Sequence, residues 1–210
     1  MRPLTDHTPK PLLPVAGRPM LEYTIEALVQ AGFTDLVINL AHLGRQIEES
    51  IGSGARFGAR IAYSNEGENG LETAGGILHA LPLLGSEPFL VVNGDIACDF
   101  PFATLQEKAQ SLRQAHLVLI PNPGHHPEGD FALANGIVSI QGKIRYTFSG
   151  IGIYRSELFS RCRPGKMRLA PLLRQAMRTG LVTGEVYRGF WMDIGTPQRL
   201  QELDRHYRNT

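Results

Sequence analysis

The segment Phe89-Leu90-Val91-Val92-Asn93-Gly94-Asp95 decides the fold class of this chain. Its apolar residues follow one another without interruption and are closed by a polar turn. A short, continuous apolar run bounded by turn residues is typical of a strand that is buried on both faces. Because such strands occur mainly in parallel sheets covered by helices, the segment predicts an α/β fold.

The sequence upstream alternates between helical and extended patterns. Leu21, Ile25, Leu28 and Val29 have helical spacing, and Gly32 follows them as a stop signal. Further helices are predicted over 43–51 and 73–84, and further strands over 35–40, 61–64 and 116–120. Strands and helices that alternate at these intervals suit right-handed crossovers. We therefore predict a Rossmann-like, mostly parallel central sheet flanked by helices.

The pattern changes after residue 120. Two extended runs, 131–134 and 137–140, flank Asn135-Gly136, which is a strong signal for a two-residue hairpin. Because the extended character continues beyond them, we predict a small antiparallel β insertion over residues 121–155. The remaining predicted elements are a helix over 168–179, a strand over 190–192 and a terminal helix opened by Pro197. No linker divides the chain, so we expect a single domain over residues 1–210.

Composition excludes several classes of function. The 210 residues carry a formal net charge of +1, which gives no electrostatic reason to expect nucleic acid or an anionic membrane as a partner. No stretch has the length and apolarity of a membrane span, and the N-terminal segment lacks a signal-peptide core. Cys98 and Cys162 match no metal or redox spacing, so we expect free thiols in a cytoplasmic protein. The oligomeric state is not predicted.

Lys10 lies between two prolines in the segment Thr8-Pro9-Lys10-Pro11-Leu12. Each proline fixes its own φ and restricts the residue before it, so the segment holds the lysine stiffly. A stiffly held cation just ahead of a helix suits binding of phosphate or pyrophosphate. The alternative is a proline-rich connector whose lysine is simply solvated.

Asp95 and Asp193 each follow a predicted strand. Ligands of open α/β sheets bind beyond the carboxyl ends of the strands, so both carboxylates have suitable positions for a ligand. Two such carboxylates can share Mg²⁺, which fills its other positions with water and substrate phosphates. The alternative for each aspartate is a turn residue that caps the next segment.

Two other segments offer weaker candidates. Residues 72–76 open a helix behind a loop of small residues, and its backbone amides could face a phosphate or a carbonyl group. Ordinary capping by Thr73 is the alternative. His125 and His126 are adjacent, but no further histidine or cysteine has ligand spacing, so we do not expect a transition metal there. Trp191 is expected to pack in the core.

Several motifs together resemble the sugar-1-phosphate nucleotidyltransferases. The resemblance runs from Met1 to the terminal helix, and it includes Thr8-Pro9-Lys10-Pro11-Leu12, Leu71-Glu72-Thr73-Ala74-Gly75-Gly76, Val92-Asn93-Gly94-Asp95, Asn122-Pro123-Gly124-His125-His126, Phe148-Ser149-Gly150-Ile151 and Trp191-Met192-Asp193-Ile194-Gly195-Thr196. The lysine and aspartate motifs are specific to the broad family. The double histidine and the Leu-Glu-Thr variant point to its muramate branch, which is specific for N-acetylmuramate 1-phosphate.

The resemblance implies the nucleotide-diphospho-sugar transferase type of α/β fold and a role for each matching residue. Lys10 would neutralise the triphosphate of UTP, and Asp95 and Asp193 would hold Mg²⁺. The residues that the resemblance assigns to the nucleotide are Glu66, Leu71, Thr73 and Asn93. Those that it assigns to the sugar are Gly129, Ser149 and Gly150.

The implied reaction is transfer of UMP from UTP to N-acetylmuramate 1-phosphate, with release of pyrophosphate, in cell-wall recycling. One alternative is uridylyl, thymidylyl or guanylyl transfer to another sugar 1-phosphate. Another is a module that binds a sugar phosphate without catalysis. Family members carry a strand and a glycine-rich loop of the Leu-Ala-Ala-Gly-x-Gly-x-Arg type ahead of the residue that matches Met1. We therefore expect these 210 residues to bind UTP poorly and to turn over little or not at all.

Overall fold

The computed structural model describes residues 1–209, which form two compact units. The first unit combines residues 1–70, 94–103 and 190–209, and the second combines residues 71–93 and 104–189. Both units are therefore assembled from segments that are distant in the sequence. The expectation of a single domain over 1–210 stays a prediction. No helix within residues 1–209 is both long and apolar enough to cross a membrane.

The first unit consists of short strands and three α-helices among the residues described. Its elements are β1 (Pro14–Val15), β2 (Arg18–Pro19), α1 (Met20–Gln30), β3 (Asp35–Leu40), α2 (Gly44–Ile51), β4 (Arg60–Asn65), β6 (Ile96–Cys98), β12 (Trp191–Asp193) and α6 (Pro197–Asn209). Short 3-10 helices cover Lys10–Leu12 and Ala55–Phe57. The pairs β1–β2 and β6–β12 are antiparallel, whereas β3 and β4 are parallel.

Two apolar clusters hold the first unit together. Helix α1 buries Leu21 and Ile25 against Leu40, Ile47 and Ile51 of β3 and α2. The second cluster joins the N-terminal segment, β6 and α6, and its buried members are Leu13, Val15, Met20, Ala97, Ile194, Leu200 and Leu203. Each fully buried aliphatic side chain stabilises the fold by about 1.5–3 kcal/mol. The second cluster therefore fixes the segments that carry Lys10, Asp95 and Asp193.

The second unit is built around a six-stranded sheet. Its elements are α3 (Glu72–Leu84), β5 (Phe89–Val92), α4 (Thr104–Gln110), β7 (Ala115–Ile120), β8 (Phe131–Ala134), β9 (Ile137–Ser139), β10 (Arg145–Tyr154), a 3-10 helix (Ser156–Phe159), α5 (Leu169–Met177) and β11 (Val182–Val186). The strand order is β5-β10-β7-β11-β9-β8, and β10 also pairs with β8. Strand β7 is buried along its whole length, and it forms the centre of the core with β10 and α5.

The α/β fold class is confirmed, but the strand pairing differs from the expected mostly parallel sheet. Within residues 1–209, only β3–β4 and β7–β11 pair in parallel. Strand β10 was expected as part of an insertion beside the sheet, whereas it lies between β5 and β7 and runs antiparallel to both. Strand β10 can join both parts of the sheet because it is 10 residues long. Its start pairs with β8, and its end pairs with β5 and β7.

The hairpin at Asn135-Gly136 is confirmed. Both residues have positive φ, 50° and 75°, and Ala134 lies opposite Ile137. Positive φ at both central positions is the geometry that matches the twist of the flanking strands.

Strand β5 is only half-buried after Phe89, so the expectation of burial on both faces is wrong for the end of this strand.

A polar pair on neighbouring strands gives a prediction about acid stability. His116 is buried and lies 2.8 Å from the Thr183 hydroxyl through Nδ1 and 3.4 Å from the Glu185 carboxylate through Nε2. The hydrogen bond with His116 lowers the pKa of Glu185 below its usual value of 4.5. A carboxylate with a lowered pKa stabilises the fold above its unfolded-state pKa and loses that contribution as the pH falls through the folded-state value.

We therefore expect the free energy of unfolding to fall less steeply with decreasing pH in Glu185→Gln than in wild type, below pH 4.5. The difference from wild type should stay under about 1 kcal/mol, because the Glu185 carboxylate is partly screened by water. Urea unfolding of both proteins from about pH 6 to about pH 3 measures it. If the free energies of unfolding of the two proteins differ by the same amount at every pH, the pKa of Glu185 is not lowered by the fold.

Candidate active site

Lys10 forms an ion pair with Asp95. The lysine lies in the 3-10 helix that begins after Pro9, and the backbone N–H of Leu13 donates to its carbonyl at 3.1 Å. Its Nζ donates to Oδ2 of Asp95 at 2.9 Å, and 31% and 40% of the two side chains are exposed. The stiff proline-flanked segment therefore holds a cation beside one of the two predicted metal ligands, and a ligand can reach both groups from solvent.

Asp95 and Asp193 are brought together by the antiparallel pair β6–β12. Asp193, the last residue of β12, lies opposite Ile96, the first residue of β6. The backbone N–H of Ile194 donates to the carbonyl oxygen of Asp95 at 2.8 Å. As expected, Asp95 follows strand β5 in the chain and Asp193 lies at the end of a strand, β12. Only the pairing differs from the expected parallel sheet, because β6 and β12 are antiparallel and the end of one lies beside the start of the other.

Arg199 completes the cluster, and the sequence reasoning missed it. It lies in the first turn of α6, and its Nη1 donates to Oδ1 of Asp193. The side chains of Asp193 and Arg199 are 29% and 22% exposed. Helical spacing after the Thr196-Pro197 helix start could have placed Arg199 in that first turn. Nothing in the sequence predicted that its side chain turns back toward Asp193.

The donor set of Asp95 and Asp193 fits a hard divalent cation. Mg²⁺ is bound in proteins through one or two carboxylates, and water and substrate phosphates complete its octahedron. Among residues 1–209 no three or more histidine, cysteine, aspartate or glutamate side chains lie close enough to form a metal site of their own. The aspartate pair therefore suits a cation that keeps positions for substrate, and it does not resemble a closed structural site.

Cys98 lies on β6, three residues after Asp95. Burial raises the pKa of its thiol. A protonated thiol is a poor nucleophile at neutral pH, so Cys98 is unsuited to form a covalent intermediate.

In the second unit, Asn93 lies against Gly150. The N–H of Asn93 donates to the carbonyl of Gly150 at 3.0 Å. Gly150 has φ +83°, and a Cβ on it would lie 2.7 Å from the side-chain nitrogen of Asn93. A larger residue would therefore be strained and would displace Asn93. The structure thus brings together one residue expected to bind the nucleotide and one expected to bind the sugar.

Ser149 lies next to Gly150, but its hydroxyl is used inside the fold. The side chain is 1% exposed, donates to the carbonyl of Val118 at 2.6 Å and accepts from the N–H of Ile151 at 3.1 Å. The pairing of β10 with β7 shifts register between Phe148 and Ile151, which marks a β-bulge. The Ser149 hydroxyl supports this bulge and thereby orients the backbone at Gly150.

The loop that carries Gly129 is tied to β10 by Asn122 and Asp130. Asn122 donates to the carbonyls of Pro127 and Arg145 at 2.9 and 3.1 Å. Asp130 accepts from the N–H of Phe148 at 2.8 Å. Gly129 has φ +61°, and a Cβ there would lie 2.6 Å from the side-chain oxygen of Asn122. His126 lies 3.2 Å from the Asp130 carboxylate, so one of the paired histidines serves the loop itself.

We expected the backbone amides at the start of α3 to be free to bind a ligand, but two of them are already hydrogen-bonded within the fold. The N–H groups of Ala74 and Gly75 both donate to the carbonyl of Met167, at 3.0 and 3.1 Å. Leu71 also contacts this segment, because its carbonyl accepts from the N–H of Met167 at 2.9 Å. The segment before α5 therefore occupies the amide positions that we had considered for a phosphate, and Thr73 remains an untested candidate.

Glu66, the other residue expected at the base, follows β4 in the first unit. Its N–H donates to the carbonyl of Leu40 at 2.7 Å. The backbone hydrogen bond fixes Glu66 at the end of the β3–β4 pair. Its assignment to the base stays a prediction.

The close contact between the start of α3 and the segment before α5 can be tested at Gly75. A Cβ at Gly75 would lie 2.3 Å from the carbonyl oxygen of Gly165. We expect Gly75→Ala to lower the free energy of unfolding by about 1–3 kcal/mol, because backbone atoms must move to relieve the overlap. Gly124→Ala is the control, since a Cβ there meets no atom within 4 Å. Urea unfolding measures both variants, and an equal effect of the two would show that Gly75 is not in close contact.

The chain matches a known family over its whole length. The model of the family described as nucleotidyl transferase matches residues 1–210. The chain is 52% identical over 209 residues to the N-acetylmuramate alpha-1-phosphate uridylyltransferase of Neisseria meningitidis serogroup B, covering 96% of this chain and 90% of the relative. The enzyme of the same name from Caulobacter vibrioides is 32% identical over 212 residues, covering 94% of this chain and 88% of the relative.

Solved structures agree on the fold. A Bacillus anthracis structure, described as a candidate glucose-1-phosphate thymidylyltransferase in complex with sucrose, superposes with a TM-score of 0.86. The alignment covers 100% of this chain and 91% of that chain at 23% identity. At this identity the likeness establishes the nucleotide-diphospho-sugar transferase fold and nothing about the substrate.

Proposed function

The chain belongs to the nucleotidyl transferase family, and we propose that it transfers UMP from UTP to N-acetylmuramate 1-phosphate. The products are UDP-N-acetylmuramate and pyrophosphate. The choice of base and sugar rests on the 52% identity to the Neisseria relative. A role in cell-wall recycling in the cytoplasm follows from this substrate and is part of the proposal.

The observation that carries the chemistry is the cluster of Lys10, Asp95 and Asp193. One lysine lies 2.9 Å from the first carboxylate, and a backbone hydrogen bond of 2.8 Å fixes the strand that bears the second. Phosphoryl and nucleotidyl transfer need little from a protein beyond alignment and stabilisation of negative charge. A stiffly held cation beside two carboxylates supplies the residues for both tasks.

The proposed reaction is a single displacement. A phosphate oxygen of the sugar 1-phosphate attacks the α-phosphorus of UTP, and the bond from that phosphorus to the oxygen bridging to the β-phosphate breaks. The electron pair leaves with pyrophosphate, so no covalent enzyme intermediate and no redox partner are needed. Lys10 would bind the triphosphate and offset the charge that develops as pyrophosphate leaves.

Asp95 and Asp193 would hold Mg²⁺, which supplies further charge neutralisation at the phosphate oxygens when bound. We also propose that Glu66, Leu71 and Thr73 bind the uracil base, and that Asn93 contacts the nucleotide. Gly129 and Gly150 would border the sugar through their backbone, and glycine is required at both positions because a Cβ would overlap the side chain of Asn122 or Asn93. Ser149 would act through the bulge that orients Gly150.

Asp95→Asn tests the role of the cluster. The amide keeps the shape of Asp95 but removes the charge that faces Lys10 and the cation. We expect kcat to fall by about 10²–10³-fold, measured as pyrophosphate release with UTP, N-acetylmuramate 1-phosphate and Mg²⁺. Asp35→Asn is the control, because Asp35 is an exposed residue of the first unit that pairs with Arg60. Activity of the Asp95 variant within threefold of wild type, or an equal loss in the control, would contradict the assignment.

A substrate panel tests the choice of sugar and base. We expect N-acetylmuramate 1-phosphate with UTP to give a kcat/KM at least about 10-fold above glucose, mannose or N-acetylglucosamine 1-phosphate with UTP, dTTP or GTP. A clear preference for another pair would replace the proposed substrate and leave the reaction type standing. Binding of a sugar phosphate with no turnover of any pair would favour a module without catalysis.

A further inference from the structure

The two carboxylates of the cluster are each paired with a cation from this chain. Asp95 faces Lys10 at 2.9 Å, and Asp193 faces the guanidinium of Arg199. These four groups carry formal charges that sum to zero. A divalent cation is attracted to a site by net negative charge, and the attraction falls when cationic side chains already offset that charge. The cluster is therefore a weak site for a free cation.

Arg199 is held in place by its surroundings. Its backbone N–H donates to the Thr196 hydroxyl at 3.2 Å. A Cβ on Gly195 would lie 2.9 Å from Nη2 of Arg199, so glycine leaves the room in which the guanidinium crosses the turn. Leu200, the next residue, is buried, as is Leu203. The helix that carries Arg199 is thus anchored in the core, and the arginine is only 22% exposed.

The same helix is tied to the segment that carries Lys10. Asp204 accepts from the N–H of Ala16 at 2.7 Å, and Leu200 and Leu203 pack in the cluster that includes Leu13. Both cations therefore come from elements that share one apolar core, so their positions relative to the two aspartates are fixed together.

We propose that Arg199 is a positioning residue that holds the Asp193 carboxylate and suppresses binding of a free divalent cation. The cation then binds tightly only when the triphosphate of the nucleotide brings further negative charge. This inference deepens the proposed function and rests on it for the identity of the nucleotide. The role of Arg199 toward Asp193 is independent of which base or sugar is used.

The test is Mn²⁺ binding to the nucleotide-free protein, followed by the paramagnetic signal of the unbound ion. We expect Arg199→Gln to bind Mn²⁺ about 10-fold more tightly than wild type. A cation near a carboxylate changes the affinity of that carboxylate for a proton by about 10- to 1000-fold, and the partial exposure of this pair favours the lower end. Arg199→Lys, which keeps the charge, should bind Mn²⁺ about as weakly as wild type.

Arg205→Gln is the matched control. Arg205 lies on the same helix, where its Nε is 3.4 Å from the carbonyl of Gln201 and it forms no hydrogen bond with Asp193 among the contacts described. Its loss removes the same charge from α6, so we expect unchanged Mn²⁺ affinity. Equal tightening in both glutamine variants would attribute the effect to net charge and overturn the proposal, as would unchanged or weaker binding in Arg199→Gln.

The readout separates positioning from a merely structural role. A variant whose site has collapsed would bind Mn²⁺ more weakly, whereas the proposal requires tighter binding. Thermal unfolding checks that the variant is folded, and Arg199→Met, which keeps an unbranched aliphatic stem, replaces the glutamine variant if that one does not fold. The measurement contains no substrate, so absence of uridylyl transfer would overturn the proposed function and leave this result unaffected.

Discussion

The antiparallel pair of β6 and β12 is the constraint on which the candidate site depends. Its last hydrogen bond, from the N–H of Ile194 to the carbonyl of Asp95, joins residues that are far apart in the chain. Ala97 on β6 and Ile194, the residue directly after β12, are both buried in the core shared with Leu13 and α6. One apolar cluster therefore fixes both carboxylates, the lysine segment and the helix of Arg199. A change in this core would displace charged groups that do not belong to it.

Much of the local structure could be predicted from the sequence. Helix α1, strand β3 and the hairpin at Asn135-Gly136 follow from hydrophobic periodicity and turn residues, which are properties of short segments. The pairing of β10 could not be predicted in this way. Its two halves have ordinary extended patterns, and only the folded sheet shows that one continuous strand separates β5 from β7. The order of strands along the chain does not reveal that a later strand, β10, is inserted between two earlier ones.

The candidate site likewise contains residues that could be predicted from the sequence and one that could not. Lys10, Asp95 and Asp193 could be selected because their residue types and local turns suit phosphate and Mg²⁺. Arg199 could not, since an arginine in a first helical turn usually faces solvent. The glycine-rich start of α3 was interpreted as a ligand site, although the close approach that its glycine permits is to the backbone of Gly165. Small residues at a helix start allow contact with protein backbone as readily as with a phosphate.

The arrangement of charge follows from what nucleotidyl transfer requires of a protein. Asp95 and Asp193 lie at adjoining positions of the two strands, and each carboxylate is paired with a cation of this chain. Lys10 and Arg199 come from elements that the shared core already holds, so the carboxylates can stay oriented before any ligand binds. Groups that are oriented in advance need no reorganisation when phosphate charge arrives. Under the proposed function, the two ion pairs would keep the carboxylates oriented for the triphosphate and its cation, which would couple the stability of this region to its chemistry.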